Sequence, residues 1–180
     1  MGEGQAGLTS FAEFVHAHSR SLLGTAYLLT GDVPSAEDLV QETLTKLLPK
    51  WEQVMSADAP VAYVRKALIN TYLDSRRRRV VPTLALEDVK DTDPASADFT
   101  DQITDRHAAI QLLDKLPPRQ RAAVLLRYLH DQDDAAIAAV LGCRVVTVRS
   151  LISRGLSSVR REIEHRGKRL DLRRPQEDYR

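Results

Sequence analysis

The stretch from Asp134 to Arg161, DAAIAAVLGCRVVTVRSLISRGLSSVRR, predicts a short helix, a tight turn and a longer basic helix. Gly142 follows the first helix directly, where the chain needs a left-handed backbone and the missing Cβ removes its steric cost. Ala138 lies where the two helices cross, a place that fits only a small side chain. The helices share an apolar seam made of Ile137, Leu141, Val148 and Leu151. Two helices joined by a short glycine-containing turn are typical of a helix-turn-helix.

The second helix of this hairpin is basic and rich in short hydroxyl side chains. Cations grip phosphates, and short polar side chains can reach base edges in a groove, so the mixture favours DNA binding. An ordinary helical hairpin with a solvated arginine face is the alternative. The side chains concerned are Arg144, Thr147, Arg149, Ser150, Ser153, Arg154, Arg160 and Arg161.

Composition narrows the class of protein. A chain of 180 residues with 43% hydrophobic side chains suits one domain or two small ones with packed cores. No apolar run approaches the roughly 18 residues of a membrane span, and the N-terminus lacks a secretion signal, so we expect no membrane insertion and a cytoplasmic protein. The single cysteine, Cys143, excludes an internal disulfide. The histidines have no metal-ligand spacing with it, and no phosphate loop or nucleophile constellation is present. We therefore expect no metal, no cofactor and no enzyme activity.

The net charge of +1 conceals four charged blocks. Residues 1–60 carry 3 basic and 8 acidic side chains, whereas residues 61–80 carry 6 and 1. Residues 81–104 are acidic, with 1 and 6, and residues 142–180 are basic, with 11 and 5. This alternation indicates separate partners for separate faces, with a polyanion as the natural partner of the basic blocks. Solvated surface charge is the alternative.

The first block predicts two amphipathic helices. Apolar residues recur at helical spacing over 8–29, and Thr30-Gly31-Asp32 ends that helix. The next helix is predicted to start at Pro34-Ser35, with Ser35 and Asp38 in capping-box spacing. Its outward face carries like charges four residues apart, which a basic or amide-rich partner would offset. That face, which a solvated surface also explains, consists of Asp38, Gln41, Glu42 and Thr45.

The basic block at 61–80 predicts a third helix, over 61–79, after a loop at 52–60 that ends in Pro60. Aromatic, amide and basic groups on one face suit single-stranded nucleic acid, because bases stack while cations hold the backbone. Alternatively, Tyr63 and Tyr72 are core aromatics and the arginines only end the helix. The face consists of Tyr63, Lys66, Asn70, Asp74 and Arg77, and the run Arg76, Arg77, Arg78 and Arg79 closes the helix.

The sequence thus predicts an all-α protein of two small helical domains. Residues 1–79 form the first, an acidic linker expected to be flexible occupies 80–104, and residues 105–165 form the helix-turn-helix domain. Residues 166–180 make a basic tail that is predicted to be disordered. The linker favours domains without a fixed mutual arrangement.

Four segments in this order resemble the extracytoplasmic-function (ECF) sigma factors of bacterial RNA polymerase, more narrowly the SigE-like actinobacterial group. They are AYLLTGDVPSAEDLVQETLTKLL (26–48), AYVRKALINTYLDSRRRR (62–79), LPPRQRAAVLLRYL (116–129) and LGCRVVTVRSLISRGLSSVR (141–160). The resemblance implies a factor without catalysis of its own that binds core RNA polymerase, directs it to promoters and nucleates strand opening. It also implies an anti-sigma factor as a partner. A stand-alone helix-turn-helix repressor or activator is the rival reading.

The resemblance also implies site residues. The family's polymerase-docking helix aligns with Asp38, Leu39, Gln41, Glu42 and Leu44. The element that melts the −10 region and captures a flipped base aligns with Lys66, Asn70 and Arg76–Arg79, beside Tyr63 and the 52–60 loop. The −35 element would be read by Arg144, Thr147, Arg149, Ser150, Ser153 and Arg154.

Two positions depart from the family pattern. Arg144 stands where a helix-capping residue is usual, and losing a cap typically costs about 1 kcal/mol. Gly155 stands where alanine is usual, and we expect it to loosen the packing in mid-helix by up to about 1 kcal/mol.

Overall fold

A computed structural model of the chain describes residues 3–80 and 109–171, with side chains over 10–78 and 109–165. These residues form helices and turns, with no strand among them, which agrees with the all-α prediction. The first group contains α1 (Glu3–Thr30), α2 (Val33–Leu47), α3 (Trp51–Met55) and α4 (Pro60–Val80). The second contains α5 (109–114), α6 (Pro118–Tyr128), α7 (Asp134–Leu141) and α8 (Val145–Asp171). The predicted linker at 80–104 lies outside the described residues, apart from Val80 at the end of α4.

The turn between α1 and α2 sets the start of α2. Gly31 has a φ of +91°, a left-handed value that glycine adopts without strain. The Asp32 side chain then caps α2, since its Oδ1 accepts the Ser35 N–H at 2.8 Å. The predicted capping by Ser35 with Asp38 is therefore wrong. Both Asp32 and Ser35 are good capping residues, and the position of the glycine turn selects the earlier one.

The predicted loop at 52–60 is mostly helical. A 3-10 turn at Leu48–Lys50 leads into α3, and only residues 56–59 separate α3 from α4. Trp51 is 4% exposed, and its ring meets Phe11 and Phe14 edge-on at centroid distances of 4.9 and 5.0 Å. The aromatic cluster draws the segment onto the core and so makes a short helix where the sequence suggests a loop.

The helix-turn-helix has the predicted geometry. Asp133 caps α7 by accepting the Ala136 N–H at 2.7 Å, and Gly142 ends it with a φ of +57°. The predicted seam is buried at Ile137, Leu141 and Val148 and half-buried at Leu151. The backbone of α8 continues to Asp171, past Glu164, where the sequence predicts the start of a disordered tail. Residues 172–180 of that tail lie outside the described residues.

Gly155 tightens the packing between α6 and α8. A Cβ added at this position would lie 2.9 Å from Cγ2 of Val124, closer than real Cβ atoms approach their neighbours. The expectation that this glycine loosens the helix is therefore wrong. The two backbones come close because no side chain separates them.

The two helical groups pack against each other. Helix α6 contacts α1 and α4, and α7 contacts α4, so one cluster of buried residues runs through both groups. Arg121 of α6 is 3% exposed, and its Nη1 donates to the Leu29 carbonyl at the end of α1 at 2.7 Å. Its Nη2 pairs with Asp114 at 2.9 Å. The described residues thus hold a defined mutual arrangement, in contrast to the independence that the linker predicts.

None of the described helices alone is long and apolar enough to cross a membrane, although α7 and α8, bent by 95°, reach that length and composition as a pair.

Candidate nucleic-acid and protein interfaces

The outward face of α2 is polar and acidic. Asp38, Gln41, Glu42 and Thr45 are all exposed, as the helical period predicts. Glu42 pairs with Lys46 of the next turn at 2.6 Å, which partly neutralises this face, whereas Asp38 has no described partner. Leu39 is only 5% exposed and belongs to the core. Its expected place on a docking surface is therefore wrong, because its side chain points to the inner side of α2.

An apolar groove of about 470 Å³ lies between α1 and α2, beside the acidic face. Half-buried Leu44 and exposed Leu48 form its α2 side, and the polar side chains of Gln41 and Thr45 form its edge. The sequence analysis identified Leu44 but missed the groove. Leu48, which is 42% exposed, belongs to the apolar period of α2 and was counted as core. The remaining lining residues are Phe11, Val15, Leu23, Glu37 and Val40.

The predicted face of α4 is open to solvent. Lys66, Asp74 and Arg77 are exposed, Tyr63 is 37% exposed, and Asn70 is half-buried. On the opposite side Val64, Leu68 and Ile69 are buried and anchor the helix. Tyr72 is 2% exposed and is a core aromatic, whereas Tyr63 is not. The alternative that both tyrosines are core residues thus holds for one of them.

The arginine run at the end of α4 divides into different roles. The Arg76 guanidinium lies 5.5 Å from the centre of the Tyr72 ring, a cation–π contact that holds it half-buried against the core. Arg77 and Arg78 are exposed. The side chain of Arg79 lies outside the described residues. Two of the four predicted arginines are therefore seen to be available to a polyanion.

The predicted base-reading residues share the exposed side of α8 and the turn before it. Arg144, Arg149, Ser150, Ser153 and Arg154 are exposed, and Thr147 is half-buried. The Arg149 Nε donates to Asp134 Oδ2 at 2.8 Å, and Asp134 Oδ1 also pairs with Arg127. The hydrogen bond from Arg149 is the main cause that lowers the pKa of Asp134. Asp134 and Arg127 were not among the predicted site residues, and no spacing in the sequence indicates that they meet Arg149.

A metal or catalytic site finds no support in the described residues. They contain no group of three or more histidine, cysteine, aspartate or glutamate side chains placed to hold an ion. Cys143 is half-buried against the core, which fits its predicted place in the packed seam.

Two family models match the chain, and between them they cover both helical groups. Sigma-70 region 2 matches residues 14–80, and Sigma-70, region 4, matches residues 106–159. The RNA polymerase sigma-E factor of Streptomyces avermitilis is 32% identical over 87% of this chain and 86% of its own length. The chain belongs to the sigma-70 family. The resemblance to ECF sigma factors is thereby confirmed, and the chain is a transcription initiation factor that directs RNA polymerase to promoters. The match over residues 14–80 disfavours a stand-alone helix-turn-helix regulator, which has no need of region 2.

Other relatives and solved structures agree with this assignment. The sigma-E factor of Streptomyces coelicolor is 31% identical over 91% of this sigma factor and 89% of its own length. The crystal structure of Mycobacterium tuberculosis SigJ, an ECF sigma factor, superposes with a TM-score of 0.60 at 29% identity, over 82% of this chain and 52% of that one. Bartonella quintana RpoE, solved in complex with the anti-sigma factor NepR, has the same fold, with a TM-score of 0.60, 23% identity and coverage of 86% and 97%.

Proposed function

We propose that this sigma factor divides its work between three surfaces: α2 docks on core RNA polymerase, α4 opens the promoter at the −10 element, and α8 reads the −35 element. It catalyses no reaction itself and acts in the cytoplasm, where polymerase and DNA are found. One observation supports the proposal above all. Two exposed basic helix faces, on α4 and α8, belong to different domains of one chain, and a third exposed face, on α2, is acidic.

Docking through α2 rests on charge and shape together. Asp38 and Glu42 present carboxylates one turn apart, and the groove beside Leu44 and Leu48 offers apolar surface next to them. Such a combination fits an amphipathic helix of a partner that carries basic or amide groups beside apolar ones. Charge steers the encounter and the groove supplies the burial that holds the complex. We therefore propose the partner surface as a helical element of the polymerase.

Promoter opening through α4 rests on the mixture of groups on its exposed face. Tyr63 offers a ring on which an unstacked base can lie, and Asn70 offers an amide to the edge of a base. Lys66, Arg77 and Arg78 would hold the backbone of the displaced strand. Flipping a base costs a few kcal/mol of unstacking, which such contacts repay. Residues 56–59, which precede α4, would close one side of the pocket.

Reading of the −35 element rests on the helix-turn-helix. The early residues of a recognition helix meet base edges in the major groove, whereas later basic residues meet phosphates. Thr147, Arg149 and Ser150 lie in the first two turns of α8, Ser153 and Arg154 in the third. Arg144 precedes the helix and is placed for a phosphate.

An anti-sigma factor is a further proposed partner. Two solved relatives were crystallised with such factors, Bartonella RpoE with NepR and CnrH with CnrY. Occupation of the α2 groove by such a partner would compete with docking on the polymerase.

Run-off transcription on pooled genomic promoters tests the proposal. We expect transcripts that depend on this protein and that decrease at least tenfold with the double variant Asp38→Ala/Glu42→Ala. The matched control, Glu13→Ala/Glu164→Ala, removes two exposed carboxylates elsewhere and should keep full activity. Absence of stimulation, together with tight binding of duplex DNA by the protein alone, would instead establish the stand-alone regulator.

A further inference from the structure

One carboxylate joins three helices of the region 4 domain. Asp134 is the first residue of α7. Its Oδ1 accepts from Nη2 of Arg127, at the end of α6, and its Oδ2 accepts from Nε of Arg149 on α8 at 2.8 Å. Arg127 and Asp134 are half-buried, whereas the side chain of Arg149 is 73% exposed. Arg149 is thus tied at one end and open to solvent at the other.

The atom that makes the tie determines what remains free. A guanidinium has five N–H donors in a rigid plane, and Nε lies on its inner edge. Because Asp134 takes Nε, the outer edge formed by the two Nη groups keeps its donors, and Arg149 has no other partner among the described residues. This outer edge is the one that donates to a pair of acceptors such as O6 and N7 of guanine.

The surroundings of Arg149 suit DNA. An open groove of about 380 Å³ runs along this flank of α8, with Ser153, Ser157 and Arg160 after Arg149 and with Ile152 and Leu156 as its floor. Arg149 lies in the second turn of the helix, where base edges are reached, and Arg160 lies about three turns further on. The groove thus has one braced arginine at its base-reading end and an arginine without a carboxylate brace at its far end.

Charge distinguishes a base contact from a phosphate contact. A carboxylate next to an arginine weakens the attraction of that arginine for phosphate, since the pair is close to neutral. A brace is therefore a disadvantage where only charge matters. It is an advantage where the direction of the guanidinium matters, as in a bidentate contact to a base.

We propose that Asp134 is a positioning residue for −35 recognition, which fixes Arg149 so that its two Nη groups meet the O6 and N7 acceptors of one guanine. Arg127 in turn holds Asp134 in place. The inference rests on the proposed function of α8, and it names a specificity device within that surface. Asp134 itself does not touch the DNA.

The test is a −35 preference profile of the holoenzyme. Core polymerase with this sigma factor is given a promoter library in which each −35 base pair is varied, and run-off yield is measured for every member. In the wild type we expect replacement of one guanine to lower the yield about tenfold or more, within the range of a bidentate base contact. In Asp134→Asn and Asp134→Ala we expect this preference to shrink to about twofold at that position only, while the other positions keep theirs.

Two further variants make the result specific. Arg149→Lys keeps the charge but loses the planar fork, so it should lose preference at the same base pair, and combining it with Asp134→Asn should add nothing. Asp133→Ser removes a carboxylate one residue away while it keeps the cap on α7, so its profile should equal the wild type.

The outcomes separate the inference from the function that it rests on. If Asp134→Asn lowers transcription from all promoters equally and the profile keeps its shape, Asp134 only joins the helices and the inference is overturned. If the wild type stimulates no transcription, the proposed function itself fails. Thermal unfolding of each variant, followed by circular dichroism, shows whether α7 and α8 remain folded.

Discussion

At Gly155 a single hydrogen atom decides how closely two helices approach. We expect Gly155→Ala to destabilise the protein by about 0.5–2 kcal/mol. The added methyl would overlap Cγ2 of Val124, and overpacking costs typically 1–3 kcal/mol, which exceeds the helix propensity of about 1 kcal/mol that alanine brings. Urea unfolding, compared through the change in midpoint at constant slope, measures the difference.

Gly24 provides the matched control for this substitution. It lies within α1, and a Cβ added there meets nothing within 4 Å. Gly24→Ala should therefore stabilise the protein, by about 0.5–1 kcal/mol. Val124→Ala in the Gly155→Ala background should recover part of the loss, since it removes the clashing methyl. A Gly155→Ala protein as stable as the wild type would show that α6 and α8 can move apart at little cost.

Single residues also show where sequence reasoning ends. Helical periodicity placed Asp38, Gln41 and Glu42 on the outside of α2, and they are exposed. The same periodicity placed Leu39 inside, and its assignment to a docking surface came only from the resemblance. The pairing of Asp134 with Arg149 spans 15 residues and a turn. It depends on the angle between two helices, which no periodicity in the sequence specifies.

Within α4, stacking and charge should separate experimentally. Tyr63→Ala should reduce strand opening at the −10 element by about tenfold or more, because stacking of one base on a ring contributes roughly 1–3 kcal/mol. Fluorescence of 2-aminopurine in the non-template strand of a holoenzyme–promoter complex measures the opening. Tyr63→Phe keeps the ring and should open the promoter as the wild type does.

Loss of a cation from the same helix should act differently. Arg77→Ala should weaken promoter binding for every −10 sequence alike and reduce the dependence of affinity on salt by about one counterion. Titrations of the holoenzyme at several salt concentrations give that slope. Arg20→Ala, which removes an exposed cation from α1, should leave it unchanged. A change in sequence preference with Arg77→Ala would contradict a phosphate contact.

The elements themselves were largely predictable from the sequence. The amphipathic period gave α1, α2 and α4, the glycine at 142 gave the turn between α7 and α8, and Pro118 gave the start of α6. The errors arose where two local signals compete or where tertiary contacts dominate. Asp32 and Ser35 are both capping residues, and α3 forms because Trp51 packs on Phe11 and Phe14.

For the whole molecule, the contact between the domains conflicts with promoter recognition. The −10 and −35 elements lie roughly 25 base pairs apart, or about 85 Å along the DNA at 3.4 Å per base pair. A compact chain of 180 residues has a radius of gyration of only about 16 Å. Helices α4 and α8 therefore cannot reach both elements while α6 packs on α1 and α4. We expect the domains to separate when the sigma factor binds polymerase.

Arg121 should be the strongest single polar contact against that separation. Arg121→Met keeps the apolar stem but leaves the Leu29 carbonyl without its donor, which we expect to weaken the closed arrangement by about 1–3 kcal/mol. Small-angle X-ray scattering of the free protein should then show a larger radius of gyration. Arg119→Met, which removes a bond within the second domain to the Leu141 carbonyl, should not change it. An unchanged radius for Arg121→Met would show that apolar contacts alone hold the domains together.

The same contact should respond to pH through His130. Its Nε2 lies 3.2 Å from Oγ1 of Thr25 on α1, and burial together with the charge of Arg65 lowers its pKa from 6.5 to about 4. Opening would expose the imidazole and return its pKa toward 6.5, so between pH 6.5 and 4 the open form binds more protons than the closed form. The contribution of His130 to closure is therefore complete above pH 6.5 and is lost progressively as the pH falls toward 4.

We expect the radius of gyration of the wild type to increase between pH 7 and pH 5, a range that lies above the ordinary pKa of carboxyl groups. His130→Gln retains a side-chain N–H that can reach Thr25 but does not titrate, so its radius should stay constant over the same range. If both proteins expand alike, groups other than His130 control the opening. If neither expands, the imidazole remains neutral at pH 5 in both arrangements, because the separated domains still shield it from water.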